Sequence, residues 1–159
     1  LQAQIKWPND VVLNGKKLVG ILTEMSAQMN YIEYLVTGIG INANLREFPE
    51  ELEDKATSLQ KEIGHKVNRS ALIAECMEKI EENYEIFVKT QDLSGLMAAY
   101  QEALVNQDQQ VRVLEPGHEY TGVARGINAM GELLVEKEDG TITEVYAGEV
   151  SVRGLYGYV

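Results

Sequence analysis

The sequence predicts an α+β protein, in which a partial mixed β-sheet with packed helices is followed by a small β-barrel. Residues 1–44 alternate strand-like segments with turn signals. Residues 49–104 then carry apolar positions at the 3.6-residue period of helices. Five short strand-like segments with glycine-containing turns follow. Because the texture changes near residue 106, we predict two domains, residues 1–106 and 107–159.

The first domain begins with strands. The segment before Pro8 is extended, because a residue that precedes proline is pushed out of the helical region. Asn14 and Gly15 predict a tight hairpin turn, since both residues tolerate positive φ. A further strand covers residues 31–42, and its nearly continuous apolar content predicts a sheet that is covered on at least one face.

Helices follow these strands. We predict one helix over residues 49–63, with Pro49 early in it and Gly64 ending it. A longer helix covers residues 69–89, and Asn68 or Ser70 is the expected N-cap. A shorter helix lies around residues 93–104. The apolar stripes of both later helices are predicted to be core.

The strand and turn pattern of the last domain predicts a small β-barrel. Its five strands fall at residues 111–114, 120–128, 131–138, 141–147 and 149–153. The turn signals between them are Pro116-Gly117, Asn128 to Gly131, Asp139-Gly140 and Gly148. Because so small a domain buries little apolar area, we expect it to pack on the first part of the chain.

The composition and charge of the chain disfavour several classes of function. The chain has 159 residues and a net charge of −11, which disfavours a general nucleic-acid binder, because affinity for phosphate backbones comes mainly from clustered cations. Residues 111–159 hold four basic and eight acidic residues, so a nucleic-acid-binding barrel is disfavoured as well. No apolar run of membrane-spanning length occurs, and no export leader is recognised. The single cysteine, Cys76, suits a reducing cytoplasm.

The segment KWPNDV (residues 6–11) is the main candidate for chemistry. Pro8 fixes a turn, so that Asn9 and Asp10 lie at a stiff corner. Asparagine offers a donor and an acceptor, and aspartate suits Mg²⁺ binding or the orientation of an amine. If Asn14 forms the turn, Lys17 lies on the strand next to Asp10 and can neutralise a phosphoryl or carboxyl group. A polar turn and a solubilising hairpin tip are the alternatives.

Other motifs give weaker evidence for a functional site. His65 and His118 are isolated and predicted to be exposed, and no Cys/His cluster has metal-ligand spacing. The segment GIGIN (residues 38–42) lacks the third glycine and the strand–turn–helix context of a dinucleotide fingerprint.

Four motifs in order nevertheless carry a resemblance. KWPNDV, KKLVGILTE, GIGINAN and FPEELEDKATSL are similar to the catalytic domain of biotin protein ligases, and the segment from GVARGINAM to EVSVR resembles their C-terminal barrel. The resemblance implies a class II synthetase-like catalytic core, here truncated, and an SH3-like barrel. It covers nearly the whole chain.

The resemblance also implies an activity. Biotin and MgATP would give biotinyl-5′-AMP, and a lysine of the biotin carboxyl carrier protein of acetyl-CoA carboxylase would then take the biotin. Lys17 and Asp10 match catalytic positions, Lys17 at the biotin carboxylate and α-phosphate and Asp10 at the acceptor lysine. The residues that match the other binding positions are Gly20, Ile21 and Gly38 for biotin (with Lys17), and Asn9, Asn42 and Arg153 for ATP. No direct metal ligand is assigned, although Mg²⁺ is expected near Asn9.

One family feature is missing from the sequence. The GRGRxGR loop of these ligases lies upstream of KWPND, and the chain contains no such segment. We therefore expect little or no ligase activity from the chain alone, and self-association through an exposed sheet edge, with a homodimer as one form. DNA binding is expected only if the parent protein has an upstream DNA-binding domain. The alternative function is a non-catalytic interaction module that docks the carrier protein or a second copy.

Overall fold

The computed structural model describes residues 1–115, 117–146 and 151–154. Within these ranges a short 3₁₀ helix covers Glu50–Leu52, and the α-helices are α1 (Leu59–Ile63), α2 (Arg69–Thr90) and α3 (Met97–Ala103). The strands are β1 (Gln4–Lys6), β2 (Asp10–Leu13), β3 (Lys16–Gln28), β4 (Tyr31–Ile41), β5 (Gln110–Glu115), β6 (His118–Ile127), β7 (Leu133–Glu136), β8 (Ile142–Val145) and β9 (Ser151–Gly154).

The first sheet has the strand order β1-β2-β3-β4. Asn14 and Gly15 form the predicted hairpin turn, with φ of 51° and 74°. The α+β class is confirmed. The sheet was expected to be mixed, but its strand ladders are antiparallel. Parallel pairing occurs as two isolated bridges in the described residues, Ile5 with Leu104 and Lys17 with Ala56.

The helix predicted over residues 49–63 is wrong as one continuous helix, because the segment between the 3₁₀ helix and α1 is not helical. Its middle is extended, because the backbone of Lys17 donates to Lys55 O and accepts from Thr57 N, at 2.8 and 2.9 Å. The edge of β3 thus takes backbone groups that a helix needs for itself. Helix α1 begins only at the Ser58 cap, whose hydroxyl accepts from Lys61 N, and it ends as predicted at Gly64.

Helix α2 is confirmed with its Asn68 cap, whose side chain accepts from two backbone amides. The prediction that its apolar stripe is core is wrong within the described residues: Ile73, Met77 and Tyr84 are 57%, 57% and 63% exposed. No described helix is long and apolar enough to cross a membrane.

The second sheet has the order β8-β7-β6-β5-β9 and is antiparallel. It confirms strands in all five predicted places, with Gly131 and Gly140 at positive φ in the turns. Pro116, the Gly148 turn and the first two residues of the predicted strand 149–153 lie outside the described residues.

The two sheets meet around Trp7. This side chain is buried in one cluster with the inner residues of the second sheet, and its indole N–H donates to Gly131 O at 3.0 Å. Val105 N donates to Ile5 O, which joins the segment after α3 to β1. The expected packing of the C-terminal strands on the first part of the chain is therefore confirmed. The domain boundary at residue 106 stays a prediction.

Candidate functional site

A cavity of about 670 Å³ lies where the first sheet meets β9. Its lining comes from three parts of the chain: the KWPND corner with Lys17, the segment between β4 and α1, and β9. The lining residues are Lys6, Pro8, Asn9, Asp10, Lys17, Asn42, Leu45, Glu47, Phe48, Pro49, Leu52, Lys55, Ala56, Val152 and Arg153.

The corner at Pro8 is tied to β3 by two hydrogen bonds. The Asn9 side-chain amide donates to Ile21 O at 2.7 Å, and Ile21 N donates to Asn9 O at 2.8 Å. The Trp7–Pro8 peptide bond is cis. These bonds fix the start of β2, so that Asp10 pairs with Gly20 across the strands.

Lys17 lies beside Asp10, as the hairpin predicts. Its Nζ is 2.5 Å from the Asp10 carboxylate, whose side chain is only 10% exposed, while that of Lys17 is 42% exposed. The largely buried carboxylate of Asp10 thus holds the partly exposed ammonium group of Lys17 in a fixed position at the cavity wall. Lys17 lines the cavity, and its role in binding stays a prediction.

Gly20 leaves room for this pair. A Cβ at position 20 would lie 3.0 Å from Lys17 Cε and 3.2 Å from Lys17 Nζ. A side chain there would push the end of the lysine side chain aside by a few tenths of an ångström. The glycine therefore positions the charge pair, in addition to the biotin contact that the sequence suggests for it.

Asn42 and Arg153 line the cavity from other directions. The backbone of Asn42 is held on both sides, by Leu18 O and by Leu59 N. Arg153 is exposed and comes from β9, where it pairs with Arg112 in the second sheet. Both sheets thus contribute to one cavity.

Five of the eight predicted site residues line this cavity, namely Asn9, Asp10, Lys17, Asn42 and Arg153. The other three lie along the hairpin of β3 and β4: Gly20 beside the charge pair, Gly38 opposite Leu22, and Ile21 at the Asn9 corner.

Lys6 is the lining residue that the sequence analysis missed. It is 6% exposed, and burial lowers its pKa below the usual range of lysine, with the nearby charges of Arg153 and Lys17 acting in the same direction and that of Asp10 opposing them. The signal was its position as the first residue of KWPND. An apolar wall of Phe48 and Leu52 was also missed.

The cavity concentrates positive charge in an acidic chain. Its lining contains four cationic side chains, those of Lys6, Lys17, Lys55 and Arg153, against the carboxylates of Asp10 and Glu47. A lining that combines apolar side chains with several cations suits a ligand with a flat apolar part and an anionic part.

The donor set for a metal is small. The described residues contain no group of three or more His, Cys, Asp or Glu side chains that could hold a metal ion. The cavity lining holds two carboxylates, and Mg²⁺ in proteins commonly takes one or two carboxylates and keeps several waters.

Comparison with known proteins identifies the class. Residues 1–42 match the model of the biotin/lipoate A/B protein ligase family, and residues 108–153 match that of the biotin protein ligase C-terminal domain. Helices α1 to α3 lie between the two matches. The two matches place the chain in the biotin/lipoate class of protein ligases.

Individual relatives narrow the class further. The chain is 34% identical over 154 residues to the bifunctional ligase/repressor BirA of Bacillus subtilis. It is 30% identical over 148 residues to the biotin–[acetyl-CoA-carboxylase] ligase of Mycobacterium tuberculosis. These alignments cover 96% and 92% of the chain, but 47% and 52% of the relatives, so the chain spans about half their length.

Solved structures agree. The apo biotin protein ligase of Aquifex aeolicus superposes with a TM-score of 0.84 at 33% identity, over 96% of this chain and 65% of that one. The same ligase in complex with biotin and ATP gives a TM-score of 0.82 at 30% identity, over 97% and 63%. The chain belongs to the biotin protein ligase family, and it corresponds to the part that ends in the C-terminal domain.

Proposed function

We propose that this chain provides the adenylate-forming half-site and the C-terminal domain of a biotin protein ligase. The proposed reaction activates biotin with MgATP and transfers it to a lysine of a biotin carboxyl carrier protein, in the reducing cytoplasm that a single cysteine suits. The observation that carries the proposal is the cavity in which the Lys17–Asp10 pair and Arg153 converge from two sheets.

In the first step a biotin carboxylate oxygen bonds to the α-phosphorus of ATP, and the bond to the bridging oxygen breaks, so that pyrophosphate leaves with the electron pair. Lys17 stabilises the negative charge shared by the carboxylate and the α-phosphate. Gly20, Ile21 and Gly38 support the biotin side along β3 and β4. Asn9, Asn42 and Arg153 bind the ATP side. When bound, Mg²⁺ would neutralise phosphate charge, and Asn9 and Glu47 would supply oxygen ligands from the cavity lining.

In the second step the amine of the carrier lysine attacks the acyl carbon of biotinyl-5′-AMP. The new C–N bond forms, the mixed-anhydride C–O bond breaks, AMP leaves with that electron pair, and the amine nitrogen loses one proton to solvent. Asp10 orients the amine, because its carboxylate can accept an N–H hydrogen bond at the reacting carbon. Holding both reactants in line supplies much of the rate acceleration in such a site.

Binding of a non-hydrolysable biotinyl-adenylate analogue, measured by calorimetric titration, tests the proposal. We expect micromolar or tighter binding by the chain, and no measurable binding by Lys17→Ala. Lys89→Ala is the matched control, since Lys89 lies on α2 away from the cavity. A folded chain that binds no analogue contradicts the proposal for this chain.

We further propose that the chain has little or no ligase activity by itself. The family's glycine- and arginine-rich loop is not in the sequence, and loss of a single charge-stabilising donor can cost about 3 kcal/mol of transition-state stabilisation. A measurable biotinylation rate from the isolated chain would refute this.

A second candidate function is a non-catalytic interaction module that docks the carrier protein or another copy of the chain. The exposed apolar side chains of β4, among them Tyr34 and Leu35, favour it. In that case the chain would bind the carrier domain with equal affinity before and after Lys17→Ala.

A further inference from the structure

Glu62 of α1 joins two parts of the chain that adjoin Lys17, although it is not among the residues that line the cavity. Its Oε2 accepts a hydrogen bond from the Asn14 side-chain amide at 2.7 Å, and its Oε1 accepts one from the Thr57 hydroxyl at 2.5 Å. Asn14 forms the hairpin turn between β2 and β3, and Thr57 directly precedes the Ser58 cap of α1. One half-buried carboxylate therefore ties the hairpin turn to the segment before α1.

That segment in turn holds the backbone of Lys17. Thr57 is 1% exposed, and its N–H donates to Lys17 O at 2.9 Å, while Lys17 N donates to Lys55 O at 2.8 Å. On the other edge of β3, Lys17 lies opposite Val12 of β2. The backbone of Lys17 is thus held from both edges of its strand, and Glu62 braces this arrangement at the turn and at Thr57.

The bonds of Glu62 do not cap its own helix. A carboxylate early in a helix often binds the free amides of that helix, but in α1 the Ser58 hydroxyl accepts from Lys61 N. Both partners of Glu62 are side chains outside the helix, and Asn14 is 48 residues away in sequence. The two bonds therefore fix tertiary positions rather than the helix end.

The place of the Lys17 ammonium group depends on the backbone from which its long stem starts. Its Nζ lies at the Asp10 carboxylate and is only partly exposed. In a site of this kind, a shift of about 1 Å caused by a distant change can cost about 10²-fold in rate. We propose that Glu62 is a positioning residue, which acts through Asn14 and Thr57 to hold Lys17 where the biotin carboxylate and the α-phosphate bind. The inference rests on the proposed function.

Calorimetric titration with the biotinyl-adenylate analogue tests the effect on binding. Glu62→Ala should weaken binding about tenfold, because loss of both bonds lets Lys17 shift. Glu62→Gln should stay within about threefold of the wild type, because its carbonyl can accept from Asn14 and its amide can donate to the Thr57 hydroxyl. Glu75→Ala, on the exposed part of α2, removes the same charge and should change affinity less than about twofold.

A second readout follows Lys17 itself and needs no ligand. Brief acetylation of the folded chain with acetic anhydride, followed by peptide mass spectrometry, gives the labelling rate of Lys17 relative to that of Lys89, whose side chain is 77% exposed. Glu62→Ala should raise this ratio about two- to fivefold, the range for loss of a partly exposed ion pair. Glu62→Gln should leave the ratio unchanged, whereas a general loss of stability would not single out Lys17.

Asn14→Gly keeps the test decisive if Glu62→Ala fails to fold. It removes one of the two bonds and retains the turn, since glycine adopts positive φ without strain, so binding should weaken about threefold. Unchanged analogue affinity or unchanged Lys17 labelling in the folded variants, or an equal loss in Glu75→Ala, overturns the inference and leaves the proposed function standing. If a folded wild-type chain binds no analogue, the proposed function fails and this inference fails with it.

Discussion

Two regions of this molecule are rich in apolar strand residues and have opposite environments. In the second sheet, Val111 and Val113 alternate with exposed residues and are 0% and 1% exposed. In β4 of the first sheet, Tyr34 and Leu35 are 59% and 56% exposed, on opposite faces of the strand. The second sheet is covered by Trp7, Leu104 and α3, whereas the outer hairpin has no comparable cover among the described residues.

The comparison separates the tendency of apolar residues to be buried from the presence of an element that buries them. An apolar pattern predicts which residues favour burial, but it does not predict which other element of the protein buries them. The chain covers 65% of the Aquifex aeolicus ligase chain. We expect the unmatched part of such a ligase to cover the outer hairpin and the stripe of α2.

A truncation in each region gives the largest contrast. Leu133 in β7 is fully buried, so Leu133→Ala should lower the free energy of unfolding by about 2–5 kcal/mol. Leu35→Ala should change it by less than about 0.5 kcal/mol, because the side chain is exposed. Urea denaturation followed by far-UV circular dichroism measures both. Equal losses would mean that the outer hairpin is packed as tightly as the second sheet.

A pair of strand glycines sharpens the same contrast. A Cβ at Gly122 in β6 would lie 2.6 Å from Glu136 O and from Val135 Cγ1, so Gly122→Ala should cost about 1–3 kcal/mol of unfolding free energy. A Cβ at Gly38 in β4 would meet only Leu22 O, at 3.7 Å. Gly38→Ala should therefore be neutral or stabilise by up to about 1 kcal/mol. Thermal denaturation of the two variants checks the order.

The second sheet should also make stability depend on alkaline pH. Burial against its core raises the pKa of Tyr100 to about 12. The unfolded phenol, with a pKa of about 10, loses its proton first as pH rises. The stabilisation is complete below pH 10 and should fall by about 1.4 kcal/mol per pH unit between about 10 and 12. Tyr100→Phe should remove this slope, and the exposed Tyr34→Phe should leave it.

A substitution in the outer hairpin should have a small effect on the free energy of unfolding and a large effect on self-association. We expect the chain to self-associate through the outer hairpin, because exposed apolar side chains and sheet edges bind one another. Leu35→Lys should weaken association at least about fivefold and change unfolding by less than about 0.5 kcal/mol. Sedimentation velocity over a range of concentrations measures it. A monomeric wild-type chain at all concentrations would contradict the expectation.

Local signals in the sequence were sufficient for much of the fold. The Asn14-Gly15 turn, the Asn68 cap and the Gly64 stop each act within a few residues of where they are read. The extended segment before Ser58 could not be predicted this way, because its backbone pairs with Lys17. Burial of the α2 stripe failed for a similar reason, since burial depends on a partner distant in sequence.

The candidate site also has a part that local sequence predicts and a part that depends on residues distant in sequence. The neighbourhood of Asp10 and Lys17 follows from hairpin register alone. The burial of Lys6 depends on its packing between two sheets, and a nearby cation, Arg153, comes from the last strand described. The bond from the Asn9 amide to Ile21 O depends on the corner geometry at Pro8, which the sequence signals only as a turn.

Trp7 gives the molecule its own optical reporter. It is the single tryptophan of the chain, it is 2% exposed, and its indole N–H is bonded to Gly131 O at the place where the two sheets meet. Emission excited selectively from indole therefore comes from this junction alone. Separation of the sheets would wet the ring and shift its emission to the red, while the cavity that both sheets share would open. Docking of the C-terminal strands can thus be followed in an unlabelled protein during ligand titration.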